Sequence, residues 1–122
     1  DEDEEEEDEE TPAKLRAVLV APTRELAQQL HRETDQIADG LGLKILFLTK
    51  ITVRAFLKSK GDPNVDMIVT TPARLSKLLE DPKSSIDLST VKYLILDEAD
   101  KLFEESFLAQ IDNIITACSN PK

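Results

Sequence analysis

From Leu15 onward, short apolar runs rich in branched residues alternate with longer polar segments of helical period. The runs are Leu15 to Ala21, Leu43 to Thr49, Val65 to Thr70 and Val91 to Leu96. Their near-continuous apolar character suits strands covered on both faces, so the pattern predicts an α/β chain with a parallel sheet. Between the first two runs, Glu25 to Leu41 places Leu26, Leu30, Ile37 and Leu41 along one side, with Gly40 and Gly42 as stop signals. A second, short helix is expected to begin after Pro72, a residue tolerated in a first helical turn, carry Leu75, Leu78 and Leu79, and end at Asp81-Pro82. The strongest amphipathic pattern runs from about Ala99 to Cys118, with Phe103, Phe107, Ile111, Ile114, Ile115 and Cys118 on one stripe. The segment from Ile51 to Asn64 is ambiguous: Val53, Phe56 and Leu57 permit a short helix, and Gly61-Asp62-Pro63-Asn64 reads as a turn. There is no internal repeat.

Composition bounds this picture. The chain has 122 residues, enough for one domain at most and short for a nucleotide-driven motor. The formal charge of -10 looks like a statement about partners until it is located. The first ten residues are all acidic, and the other 15 acids are matched by 15 lysines and arginines. Asp1 to Glu10 has no apolar side chain to bury, so it is expected to be a disordered, solvated segment; contact with a basic partner, or competition with RNA for basic surface, is the alternative. Residues 11–122 are expected to form the domain. A neutral body neither supports nor excludes nucleic acid.

Cys118 is the only cysteine, which excludes an internal disulfide and a cysteine-rich zinc site and makes a reducing compartment the default. No stretch approaches the roughly 18 apolar residues of a membrane span, and the acidic start is opposite in charge to a secretory signal peptide. An intracellular chain with no membrane partner is expected.

The sharpest chemical feature is Tyr93-Leu94-Ile95-Leu96 followed by Asp97-Glu98-Ala99-Asp100. In an open α/β sheet, ligands collect where strands end, and a carboxylate there can hold Mg²⁺ directly or through water while the ion neutralises nucleotide phosphates. The plainer reading is that these acids favour the start of the following helix. Two further segments stand at the ends of expected strands: Pro22-Thr23-Arg24-Glu25-Leu26-Ala27 and Thr71-Pro72-Ala73-Arg74. A hydroxyl, an arginine and a helix start bind phosphate without reading sequence, and the same residues also cap helices. His31, with no second ligand at metal spacing, reads as ordinary surface, and Met67 and Cys118 as core.

In these three places, in this order, the chain resembles the DEAD-box ATP-dependent RNA helicases. Pro22 to Ala27 is similar to their motif Ia, Thr71 to Arg74 to motif Ib, and Asp97 to Asp100 to motif II. The resemblance spans Leu15 to Cys118 and implies part of a RecA-like three-layer domain with a mostly parallel sheet. It implies that Asp97 is the Mg²⁺-associated acid, through water, that Glu98 activates the attacking water, and that Asp100 links nucleotide state to other motifs, with ATP and Mg²⁺ as cofactors. It also implies that Pro22, Thr23, Arg24, Thr71, Pro72, Ala73 and Arg74 contact the RNA backbone.

The chain departs from the family's pattern as well. Ala73 stands where motif Ib has glycine, and Leu48-Thr49-Lys50 stands where a glycine pair is usual, leaving that RNA contact unassigned, although Lys50 could replace backbone contact with charge. The basic stretch Lys44, Lys50, Arg54, Lys58 and Lys60 reads most simply as a solvated face, with RNA contact as the alternative. No Gly-x-x-x-x-Gly-Lys-Ser/Thr loop, adenine-reading Q motif or Ser-Ala-Thr motif is present. The P-loop strand, the motif III strand and the second RecA-like domain are therefore expected to be missing, leaving an internal fragment with an open strand edge beside Asp97 that is marginally stable and catalytically inert alone. A non-catalytic RNA- or protein-binding module is the alternative reading, and a DNA helicase or another Walker B ATPase a more distant one. The run Asp97 to Phe103, with Phe107 and Ala117 to Pro121, is similar to the subgroup that processes small-subunit ribosomal precursor RNA, which implies a nucleolar parent protein and places the acidic run as an insertion before motif Ia.

Overall fold

The computed structural model describes residues 15–58, 64–84 and 86–119. The acidic run, Lys60, residues 61–63 of the expected turn and the last three residues lie outside them. Four strands alternate with five helices: β1 (Ala17–Val20), α1 (Arg24–Ile37), β2 (Ile45–Phe47), α2 (Lys50–Lys58), β3 (Met67–Thr70), α3 (Pro72–Glu80), β4 (Tyr93–Leu96), α4 (Ala99–Leu102) and α5 (Glu105–Ser119). The strands lie in the order β2-β3-β1-β4, every neighbouring pair parallel, with Ala17 in register with both Met67 and Tyr93. All four carboxyl ends therefore meet along one rim. The expected α/β fold with a parallel sheet is what forms.

Period-two alternation divides β1, β2 and β3 between two cores. Val18, Val20 and Ile68 face a large cluster with Leu75 and Leu78 of α3, Leu102 of α4, and Ile111 and Ile114 of α5. Ala17, Leu19 and Val69 face a smaller cluster closed by Leu26, Ala27 and Leu30 of α1. Helices thus cover both faces, in three layers. The Asn113 Nδ2 donates to Ser76 Oγ at 2.9 Å, pinning α5 to α3 where both side chains leave bulk water. Met67 and Cys118 pack at least partly into these cores, and burial pushes the Cys118 thiol up from its ordinary value.

Three expectations change. The helix after β1 stops at Ile37, and the chain turns through Gly40 and Gly42 at φ 82° and 74°, left-handed values that glycine adopts without a Cβ clash. Ile37 and Leu41 are consequently not core: they are 80% and 66% exposed. The long amphipathic segment is two helices broken at Phe103-Glu104, and Phe103 lies outside the core, half exposed. The last strand is covered on one face only. Leu94 and Leu96 pack inward, whereas Tyr93 and Ile95 are 64% and 48% exposed on the face α1 does not reach. The expectation of an open edge beside Asp97 agrees with this, since β4 is an edge strand among the described residues. The ambiguous segment resolves as α2, with Phe56 buried.

Candidate functional site

The parallel topology sets the four strand-end segments side by side. Along the rim they follow the strand order: Leu48 to Ile51 after β2, Thr71 to Arg74 after β3, Pro22 to Arg24 after β1, and Asp97 to Asp100 after β4. With strands spaced about 4.8 Å apart, the row spans roughly 14 Å. Cations occupy its β2–β3–β1 part and carboxylates its β4 end.

The cationic part is a cleft of about 500 Å³. Arg24, Thr71 and Arg74, all expected from the sequence, line it together with Phe47, Leu48, Thr49, Lys50 and Ile51. Arg24 is the first residue of α1, held there because Thr23 Oγ1 accepts from the Leu26 N–H at 3.2 Å. Thr71 caps α3 by backbone conformation only, and its hydroxyl makes no cap hydrogen bond. Neither arginine has an ion-pair partner among the described residues. The other four expected RNA-contacting residues do not line the cleft. Thr23 and Ala73 are exposed next to it in sequence, whereas Pro22 and Pro72 are buried at the entry into each helix, where a fixed φ suits the first turn.

Of the wall formed by Phe47 to Ile51, the sequence reading singled out Leu48 to Lys50, with Lys50 as a charge that could replace a backbone contact to RNA; Phe47 and Ile51 escaped it. Of the described residues of the loose basic stretch, only Lys50 lines the cleft. The available signal was Thr49 and Thr52, the two ends of a helix-capping pattern three residues apart. Thr52 Oγ1 accepts from the Thr49 N–H at 2.7 Å, Thr49 Oγ1 accepts from the Thr52 N–H at 3.1 Å, and the Thr52 hydroxyl also reaches the Phe47 carbonyl at 2.7 Å. His31 is not plain surface either. It is half-buried and stacks on Phe47, with ring centroids 5.3 Å apart, behind the same wall.

At the acidic end, the Asp97 N–H donates to the Val20 carbonyl at 2.8 Å, so the main chain there is still tied to β1 while the side chain is exposed. Glu98 adopts φ 56°, ψ 48°, a left-handed conformation that costs a non-glycine residue about 1–2 kcal/mol. The kink turns the chain into α4, leaving the Glu98 carboxylate exposed and 3.9 Å from Lys101 Nζ. Asp100 is exposed in the first turn of α4. No group of three or more His, Cys, Asp or Glu side chains among the described residues could enclose a metal ion. The donor set suits Mg²⁺ held by one carboxylate, water and phosphate oxygens, and does not suit a metal held by protein alone. No glycine-rich loop that could cradle the phosphates occurs in the 122 residues. No helix of the described residues is long and apolar enough to cross a membrane.

Comparison with known proteins agrees with this arrangement. The chain is 42% identical over 112 residues to the probable ATP-dependent RNA helicase DDX52 of Mus musculus, a match covering 88% of this chain and 19% of that protein. It is 46% identical over 107 residues to DEAD-box ATP-dependent RNA helicase 57 of Arabidopsis thaliana, and 39% identical over 115 residues to ATP-dependent RNA helicase ROK1 of Eremothecium gossypii. These cover 88% of this chain in each case, and 19% and 20% of those proteins. The chain thus spans about a fifth of the length of the curated relatives it matches. Among solved structures, the yeast DEAD-box splicing factor Prp28 matches with a TM-score of 0.73 at 30% identity, over 88% of this chain and 25% of that one. Mss116p bound to ssRNA and AMP-PNP also matches at 0.73, with 32% identity over 89% of this chain and 22% of that one. The sequence model of the DEAD/DEAH box helicases matches residues 5–122, taking in every strand and helix described above, and the chain belongs to that family.

Proposed function

We propose that the protein carrying this sequence couples ATP hydrolysis to the remodelling of RNA, and that residues 11–122 are part of its first RecA-like domain. The observation that carries the reading is the division of one sheet rim into unpaired arginines over β1 and β3 and exposed carboxylates at β4. Arg24 and Arg74, with Thr23, Thr71 and the exposed start of α3 at Ala73, hold the sugar-phosphate backbone and read no bases. Asp97 positions Mg²⁺ through water, and Glu98 orients the water that attacks the terminal phosphate. Asp100 relays the state of the nucleotide to neighbouring segments. ATP, when bound, would supply the cleavable phosphoanhydride, and Mg²⁺ would offset the negative charge on its phosphate oxygens. The phosphate cradle and a second RecA-like domain complete the site in the parent protein. The similarity to DDX52 and ROK1, with the run Asp97 to Phe103 and Phe107, supports a role on ribosomal precursor RNA in the nucleolus.

The test is ATP turnover by the full-length protein with single-stranded RNA or DNA. RNA is expected to stimulate turnover and DNA not. Asp97→Asn and Glu98→Gln are each expected to lower it by about 100-fold or more while RNA binding persists, because the cationic half of the rim is untouched. Equal stimulation by DNA, or turnover indifferent to both substitutions, overturns the reading.

A further inference from the structure

The short helix α4 carries one cation, Lys101, to which the nucleotide reading gives no part. Its Nζ lies 3.9 Å from Glu98 Oε1, and both side chains are about half exposed. Other carboxylates stand within four residues of Lys101, at Asp97, Asp100, Glu104 and Glu105. Among the described residues the ion pair is nevertheless made to Glu98 and to none of these.

The backbone sets that choice of partner. Glu98 is the N-cap of α4, a position from which an acid ordinarily turns its carboxylate onto the free N–H groups of the first turn. In the left-handed conformation it adopts here, its side chain makes no cap hydrogen bond, so the carboxylate is not used up in holding the helix. The main chain closes the turn instead. The Glu98 carbonyl accepts from the Lys101 N–H at 2.9 Å and from the Leu102 N–H at 3.2 Å, and Leu102 is fully buried in the larger core. The Lys101 stem therefore rises from an anchored point, three residues from Glu98 and on the same side of the turn.

We infer that Lys101 is a positioning residue for Glu98: its ammonium engages Oε1 and restricts the rotamers of the acid, leaving Oε2 to orient the attacking water. The inference rests on the proposed role of Glu98 and adds the group that aims it. An acid or base that acts on a reacting water is commonly held by a third group, and Lys101 fills that place without touching nucleotide or RNA. Solvent screens so exposed a pair, so its influence on the rate is modest.

Two measurements on the full-length protein test this. Without nucleotide, a water-soluble carbodiimide activates exposed carboxylates; attack by a neighbouring lysine amine then forms an amide, and the carbodiimide leaves as its urea. Glu98 and Glu104 each stand three residues from Lys101, and both are exposed. Peptide mass spectrometry is expected to show the Lys101 link to Glu98 in clear excess over the link to Glu104. Equal yields, or an excess to Glu104, would overturn the pairing.

The second measurement is ATP turnover at saturating RNA. Lys101→Met is expected to lower kcat by roughly three-fold with KM for ATP unchanged, and Lys101→Arg to restore it. In the Glu98→Gln background Lys101→Met is expected to cause no further loss, because a neutral amide no longer draws the ammonium. Lys83→Met, at an exposed lysine in the turn after α3, is expected to change nothing. Full turnover by Lys101→Met beside an inactive Glu98→Gln strikes the role of Lys101 and leaves the reading of Glu98 standing. A loss that arginine does not restore, that persists in the Glu98→Gln background, or that Lys83→Met matches places the effect outside this pair, and the inference falls. Full turnover by Glu98→Gln removes the reading on which it rests.

Discussion

The Asp97 N–H donates to the Val20 carbonyl at 2.8 Å, one residue beyond the last paired position of β4. The acid proposed to serve the metal and the strand leading to Arg24 are therefore joined by main chain and not by side chains. Replacing the Asp97 carboxylate leaves this bond intact. Asp97→Asn is expected to shift unfolding stability by no more than about 0.5 kcal/mol, as for other exposed positions, while removing Mg²⁺-dependent turnover in the full-length protein. Urea unfolding alongside the hydrolysis assay checks the pair, and a loss of stability that accompanies the loss of turnover would contradict the separation.

Glu98 offers a trade of stability against activity. Its left-handed conformation costs about 1–2 kcal/mol, and glycine would remove that cost while adding roughly 0.5–1 kcal/mol of backbone entropy to the unfolded chain. Glu98→Gly is expected to stabilise the fold by about 0.5–1 kcal/mol and to abolish hydrolysis. Glu98→Val, branched at Cβ, is expected to destabilise it by about 1–2 kcal/mol through the same φ. A denaturation midpoint that moves the same way for both variants would show that the strain is not at this residue.

Thr52 is a structural support for the cleft. Its hydroxyl both accepts from the Thr49 N–H and donates to the Phe47 carbonyl, each at 2.7 Å, in a half-buried setting. Thr52→Val keeps the shape and removes both bonds, at an expected cost of about 1–2 kcal/mol. Calorimetry on the full-length protein and its variant should show the lowered transition. An unchanged melting temperature would mean that water replaces both bonds without loss.

The exposed face of β4 should govern the behaviour of this 122-residue chain on its own. Tyr93 and Ile95 leave an edge strand with apolar side chains in water, a setting that favours strand-to-strand association. Ile95→Lys is expected to shift the chain toward monomer in sedimentation velocity while far-ultraviolet circular dichroism stays the same. Unaltered self-association in the variant would place the sticky surface elsewhere.

Residues with short-range causes could be read from the sequence. Val18, Val20, Ile68 and Leu75 declare their strands and helix by spacing alone, and Thr23, Pro72 and Gly40 mark helix ends through their own bonding or φ preferences. The carboxylates at 97, 98 and 100 were legible as a strand-end site for the same reason. What could not be read depended on neighbours distant in the chain. Periodicity marks Ile37, Tyr93, Ile95 and Phe103 as apolar, but it does not say whether another element covers them, and here none among the described residues does so fully. The break at Phe103-Glu104 interrupts a stripe whose period would have continued unbroken.

By itself, then, the sequence determined the βα alternation, the parallel sheet and the three strand-end motifs, because those follow from local propensity and residue type. Only the tertiary structure decided the strand order β2-β3-β1-β4, and with it which motifs are neighbours. That order joins Lys50, Thr71, Arg74 and Arg24 in one cleft and sets Asp97 at the other end of the rim, tied to Val20. Residues more than 45 positions apart become neighbours through backbone hydrogen bonds between strands, and no local pattern in the chain specifies which strands those will be.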